Sequence, residues 1–177
     1  MVARVSVLST VLSYDGAMEP GELVDAEALV RLQETSYRHA AAGLLRAWPA
    51  ESAMGAEQLV RFLNEHRYCV LATVTSQRQP QARPVAFTVL GSAFWFATVA
   101  GARLRNLQRT PWVSLVVTEG DRGSHRAVVV DGSVTILENP SEQVLAAWEE
   151  RHGSPAEWAA AWFEVRPARL FSYSTTS

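Results

Sequence analysis

The sequence contains no lysine; all 16 of its basic residues are arginine. No lysine side chain is therefore present to act as a base or a Schiff-base nucleophile. Cysteine is almost as scarce. Cys69 stands alone, which excludes an intrachain disulfide, and its place in the apolar run Tyr68 to Val74 marks it as a small buried hydrophobe. The four histidines, His39, His66, His125 and His152, are scattered without the spacing that metal ligands require, so no metal site is expected. No Gly-x-Ser-x-Gly elbow offers a serine nucleophile, and neither common glycine-rich phosphate loop is present. Glu149, Glu150 and Asp121 read as solvated charges, not as a matched acid–base pair. A net charge of −2 gives no electrostatic case for nucleic acid or an anionic membrane. No segment approaches the roughly 20 apolar residues of a membrane span. The run Val5 to Leu12 is short, is interrupted by Ser6, Ser9 and Thr10, and lacks a cleavage pattern. A soluble cytoplasmic protein is the expectation.

What remains is an ordinary globular composition, 48% hydrophobic and 19% charged over 177 residues, enough for one domain with a sizeable core. Residues 1–54 form a compositional block of their own, an expected N-terminal helical extension. Val5, Val7 and Val11 suggest a strand there, and Tyr14-Asp15-Gly16-Ala17 and Pro20-Gly21 suggest turns. Leu29, Leu32, Ala40 and Leu44 are spaced to face a core along a helix from Glu22 to Trp48, which Pro49 ends. Residues 55–177 form the second block. It opens with a helix over 56–66, whose apolar stripe is Leu59, Phe62 and Leu63, and continues in strands.

The strands expected are Tyr68 to Thr75, Ala82 to Leu90, Ala93 to Val99, Trp112 to Thr118, His125 to Leu137 and Val165 to Ser174. Asp131-Gly132 suggests a bulge in the fifth, and Pro167 an edge position for the sixth. Helices are expected from Asn139 to about Arg151 and from Pro155 to about Phe163. Six strands with short turns and few helices point to an antiparallel barrel with appended helices.

The chain is organised around Arg83 to Arg109. Val85, Phe87 and Val89 alternate with Pro84, Ala86 and Thr88 in the period of a half-buried strand. Gly91-Ser92 makes a hairpin turn into the aromatic strand of Phe94, Trp95 and Phe96. After Gly101 a basic helix runs from Ala102 to Arg109. Its N-terminus offers unpaired N–H groups and a positive dipole end. Arg103 lies in the first turn, while Arg105 and Arg109 share a different face.

The strings Val70-Leu-Ala-Thr73-Val74, Gln79-Pro80-Gln-Ala-Arg83, Arg83-Pro-Val-Ala-Phe87, Phe96-Ala97-Thr98, Arg103-Leu-Arg-Asn106-Leu107 and Thr110-Pro111-Trp-Val113-Ser-Leu115, in that order, resemble the flavin-binding split-barrel family. That family includes pyridoxamine 5'-phosphate oxidase and the deazaflavin (F420)-dependent reductases. The resemblance covers about residues 56 to 173. It implies a mainly β (α+β) fold, a six-stranded antiparallel split barrel of the FMN-binding type, acting as an oxidoreductase on a small organic substrate. FMN is the cofactor expected first, with F420 the alternative, and a non-catalytic flavin- or haem-binding protein shares the fold. The family pattern carries the flavin ring along the strand Arg83 to Thr88, with Arg83, Pro84, Val85 and Ala86 as its cofactor-binding residues, and its phosphate onto Arg83 and Arg103. Ala97 and Thr98 flank the ring or ribityl chain, and Asn106 ties the helix to the sheet or faces the ligand. Trp162 is a candidate ring neighbour or a core residue. A homodimer with shared sites is implied. Arg105 or Arg109 would serve the acidic tail of F420, and Arg122, His125 and Arg126 are candidates for substrate contact. Redox cofactors bring their own reactivity, so no catalytic side chain is assigned.

The sequence also departs from the family. Ala102 and Arg103 stand where serine and then lysine are common, so a hydroxyl contact is lost although charge is retained. Thr88 occupies the position of the lysine that ends the motif in true pyridoxamine phosphate oxidases, and their C-terminal arginine motif is not recognisable in Val165 to Ser177. Vitamin B6 oxidation is accordingly not the expected activity.

Overall fold

A computed structural model describes residues 24–121 and 123–176. The expected strand at Val5 to Val11, both early turns and Arg122 lie outside the described residues. The elements are helices α1 (Ala26–Arg38), α2 (Ala42–Ala47), α3 (Ala56–Glu65), α4 (Ala102–Arg109) and α5 (Glu142–His152), and strands β1 (Tyr68–Val74), β2 (Pro80–Ala86), β3 (Thr88–Leu90), β4 (Ala93–Thr98), β5 (Trp112–Asp121), β6 (Ser124–Leu137) and β7 (Ala161–Thr176). No helix among the described residues is long and apolar enough to cross a membrane.

The strands form one antiparallel sheet in the order β2-β1-β5-β6-β7-β4-β3. Its two edges, β2 and β3, are one chain segment interrupted only at Phe87. The first half of that segment pairs with β1 and the second with β4. The sheet therefore curls until a single kinked strand closes both ends, which is a split barrel. Seven strands are present where six were expected, because the predicted strand Ala82 to Leu90 divides here. The reason is visible at Phe87, whose backbone leaves the ladder: its N–H donates to the Arg67 carbonyl at 3.2 Å, and its carbonyl accepts from His152 Nε2 at 3.1 Å. Both groups stay satisfied, so the break carries no desolvation cost.

Phe87, Phe94, Phe96 and Phe163 fill the barrel with Leu71, Leu107, Leu115 and the inward valines of β5 and β6. The Phe96 and Phe163 rings stack at 4.8 Å, nearly parallel. The expected bulge falls between Asp131 and Gly132, where the β6–β7 register shifts. A Cβ on Gly132 would stand 2.4 Å from the Arg166 carbonyl oxygen, so only glycine admits this approach. Pro167 sits opposite Gly132 at that irregularity. The edge-strand reading of β7 is thus corrected: β7 lies between β6 and β4, and Pro167 is tolerated because the bulge spares its missing N–H.

Two helix expectations also change. The helix expected from Glu22 to Trp48 is interrupted at 39–41, giving α1 and α2. Polar bonds fix α1 along β7: Tyr37 donates to the Ser172 carbonyl at 2.5 Å, and Leu170 N–H donates to Ser36 Oγ at 2.9 Å. The helix expected from Pro155 to Phe163 is not formed. Ala161, Trp162 and Phe163 instead pair with Thr98, Ala97 and Phe96 as the start of β7, so ladder formation overrides a helix-favouring alanine run.

Candidate functional site

Antiparallel partners in register share a face, and this sorts the expected site residues. Arg83 pairs with Leu71, Gln81 with Thr73 and Val85 with Cys69, so these point toward the barrel interior. Thr98 follows Phe94 and Phe96 on the inner face of β4. Pro84, Ala86 and Ala97 take the opposite face. Ala86 and Ala97 pack there with Trp95, Trp148 and Trp162 in a second apolar cluster. Trp162 is buried in that cluster, edge-on to Trp148 at 5.1 Å.

At the open end of the barrel the inner face becomes a cleft of about 260 Å³, lined by Leu71, Thr73, Gln81, Arg83, Thr98, Val99, Gly101, Ala102 and Arg103. Arg83, Thr98 and Arg103 thus meet around one space, while Pro84, Val85, Ala86 and Ala97 do not line it. Helix α4 points its N-terminus into the cleft. Gly101 precedes it without a side-chain cap, so the first-turn N–H groups remain available to a ligand.

The charge in this cleft is unbalanced. No carboxylate lines it, and neither Arg83 nor Arg103 makes an ion pair among the described residues. Arg83 is exposed and donates to the Ala82 carbonyl at 2.8 Å. Arg103 is half-buried, and that burial lowers its pKa below the ordinary value, partly opposed by nearby Cys69. Cys69 is not a counter-charge. Burial pushes its thiol up to about 12 despite Arg103, so it stays protonated at neutral pH. Two cations and a helix N-terminus line one cleft, the kind of surroundings that stabilise an anion.

Asn106 supports the site from behind. Its Nδ2 donates to Thr73 Oγ1 at 3.1 Å and Gln81 Oε1 at 3.3 Å, and its Oδ1 accepts from Arg109 at 2.9 Å. The side chain is buried and ties α4 to β1 and β2. Thr73 and Gln81 were not singled out from the sequence. Their role depends on strand register, which no local motif announces. The Thr98 hydroxyl donates to the Val99 carbonyl at 3.3 Å. His125 and Arg126 lie elsewhere, at the β5–β6 hairpin, where Arg126 pairs with Glu119 and Glu65 and covers the Phe62 ring.

A family model described as pyridoxamine 5'-phosphate oxidase matches residues 56–174. Among solved structures, the chain is similar to HutZ, the haem storage protein of Vibrio cholerae, with 24% identity and a TM-score of 0.60 over 68% of this chain and 95% of that one. It is similar to a FAD-binding protein from Mesorhizobium loti at 20% identity and a TM-score of 0.60, over 71% and 96% of the two chains. An F420 reductase aligns at 26% identity and a TM-score of 0.50, over 61% and 92%. No curated protein matches the chain.

Proposed function

Because the chain belongs to the pyridoxamine 5'-phosphate oxidase family, of the flavin-binding split-barrel fold, we propose that it is a flavin-dependent oxidoreductase binding FMN in the cleft between β2, β4 and α4. The observation that carries this reading is the convergence of Arg83, Arg103 and the uncapped α4 N-terminus on a space without a carboxylate. These groups suit a terminal phosphate. When bound, the flavin supplies hydride transfer to or from a small organic substrate. The chain's own residues hold and orient it: Arg83 and Arg103 at the phosphate, the Thr98 hydroxyl near the ribityl chain, and Asn106 keeping α4 in place.

The cleft is smaller than the about 300–1,000 Å³ of ordinary small-molecule sites. It takes the phosphate end only, and the ring lies outside it, along Pro84 and Ala86. A second copy of the chain completes the site in this reading. The outer face of β1, β2 and β5 supports that assignment. Tyr68 (65% exposed), Val70 (40%) and Trp112 (45%) stand there, with Val70 opposite both Pro84 and Val116. Large apolar side chains exposed along one sheet face suit a surface covered by a partner.

A second reading, F420 in place of FMN, draws on the exposed Arg105 and Arg109 for a longer acidic tail, Arg109 through the donors left over from its bond to Asn106. Titration of the purified protein with FMN and F420 in parallel, followed by fluorescence, decides between them. Micromolar binding of one cofactor, weakened about tenfold or more in Arg103→Ala, is the expected result, since each tenfold is about 1.4 kcal/mol. Binding of neither removes the redox reading. Turnover with the bound cofactor separates an enzyme from a non-catalytic flavin or haem carrier.

A further inference from the structure

A second cavity, sharing no residue with the cleft above, lies between α3, β3 and α5. It measures about 200 Å³, and its polar wall is Asn64, Arg67, Thr88, Glu150 and Arg151. Arg151 is fixed there. It donates to the carbonyls of Leu63 and His66 at the end of α3, and its guanidinium carbon sits 4.9 Å over the Phe87 ring. Its Nε is buried without a partner. Arg67 is exposed, and its side chain makes no hydrogen bond or ion pair among the described residues.

These two cations face each other without a neutralising bond. Burial first, and the charge of Arg67 second, bring Arg151 down to about 10, so it remains charged at neutral pH. Glu150 is the only acidic residue in the wall; it is exposed and pairs with neither arginine. Thr88 is buried, and its hydroxyl makes no hydrogen bond among the described residues. A hydroxyl, an amide and two guanidinium groups therefore converge unfilled on one small space.

We propose that Asn64, Arg67, Thr88 and Arg151 form a binding site for the carboxylate of a small-molecule ligand. Two positive charges less the one on Glu150 leave a single charge to neutralise, which a carboxylate matches and a phosphate dianion exceeds. The exposed, unpaired guanidinium of Arg67 presents the planar fork that carboxylates accept, while Arg151, whose Nη2 is taken by the two carbonyls and whose Nε is buried, contributes charge at the cavity wall. Because Arg151 is already held by the α3 carbonyls, little side-chain freedom is lost on binding. The site does not depend on the cofactor reading, since neither Arg83 nor Arg103 takes part.

The test uses the full-length protein in amide NMR titrations with propionate and, separately, inorganic phosphate, at constant ionic strength set with chloride. Propionate is expected to give saturable shifts at Asn64, Thr88 and Val89. Arg67→Ala is expected to weaken binding about tenfold or more, the size of one charge-assisted contact. Thr88→Val is expected to weaken it several-fold while the fold is kept, and Arg103→Ala to leave it unchanged. Linear, non-saturating shifts overturn the proposal, as does binding that survives Arg67→Ala or is lost in Arg103→Ala. Saturation by phosphate but not by propionate overturns the carboxylate assignment. Loss of FMN binding with propionate binding intact would count against the cofactor site alone.

Discussion

Asn106→Ala separates two roles for this residue, ligand contact and structural tie. The side chain makes three hydrogen bonds, at 3.1, 3.3 and 2.9 Å, from a buried position. A net hydrogen bond contributes about 0.5–1.5 kcal/mol, and the truncation also strands the buried Thr73 hydroxyl and leaves a small void. A loss of about 2–3 kcal/mol follows for the protein without any cofactor. For a chain of this length each kcal/mol corresponds to roughly 2–4 °C, so the melting temperature should fall by about 4–12 °C. Urea unfolding of the cofactor-free protein, followed by tryptophan fluorescence, measures the change directly. Arg109→Ala serves as the control. It removes one of these three bonds from an exposed donor and should cost about 0.5–1.5 kcal/mol, less than the truncation of Asn106 itself. If Asn106→Ala leaves the cofactor-free midpoint within error of wild type, α4 is not held this way and Asn106 must act on the ligand itself. If stability falls and FMN affinity falls with it, Asn106 positions the helix that carries Arg103.

Three other outcomes follow from the same structure. Gly132→Ala places a methyl group against the Arg166 carbonyl, which backbone movement alone can relieve; a loss of about 1–3 kcal/mol is expected, and a near-neutral urea midpoint would show that the bulge yields. If the proposed pairing runs through the exposed face of β1, size-exclusion chromatography should show a dimer for the wild type and a monomer for Val70→Arg, still folded, whereas a wild-type monomer or an unchanged dimer would refute an interface there. Burial is the largest influence on His152 and lowers its pKa; the Phe87 carbonyl raises it, and Arg151 and Arg67 lower it. Its unfolded value of 6.5 therefore exceeds the folded one, so its contribution is complete above that pH and is lost as pH falls below it. His152→Gln should flatten the decline in urea stability between pH 7 and pH 5, and parallel slopes would contradict this.

Legibility in the sequence followed local chemistry. Helix α4 was readable to its ends because Gly101 and Pro111 flank it, and the bulge at Asp131-Gly132 because glycine interrupts a valine-rich strand. Of the two arginines of the cleft, Arg103 stands at the helix start as the sequence suggests, whereas Arg83, expected to open its strand, lies in the middle of β2 opposite Leu71. What stayed hidden depends on partners far along the chain. Nothing near Phe87 announces a break, which rests on Arg67 and His152. Ala159 to Phe163 carries good helix formers, and only the neighbouring strands make part of it extended. The interruption after Arg38 has no proline, and Gly43 stands beyond it; the polar bonds of Ser36 and Tyr37 to β7 set the line of α1. Gln81 and Thr73 became site residues only through register.

The strand that kinks at Phe87 has one more consequence. β2 and β4 approach each other across the opening without a ladder between them, so the barrel wall is incomplete there. Arg83 stands on one side of that gap and Thr98 on the other. A molecule gripped by both, as the proposed cofactor would be, would act as a suture, closing the wall in the same event that fills the site. Binding to the folded chain alone raises stability with ligand concentration, by about 2.7 kcal/mol at one hundred times Kd. Here that gain would fall on the seam, so amide exchange in β2 and β3 should slow more than exchange in β6, on the far side of the barrel.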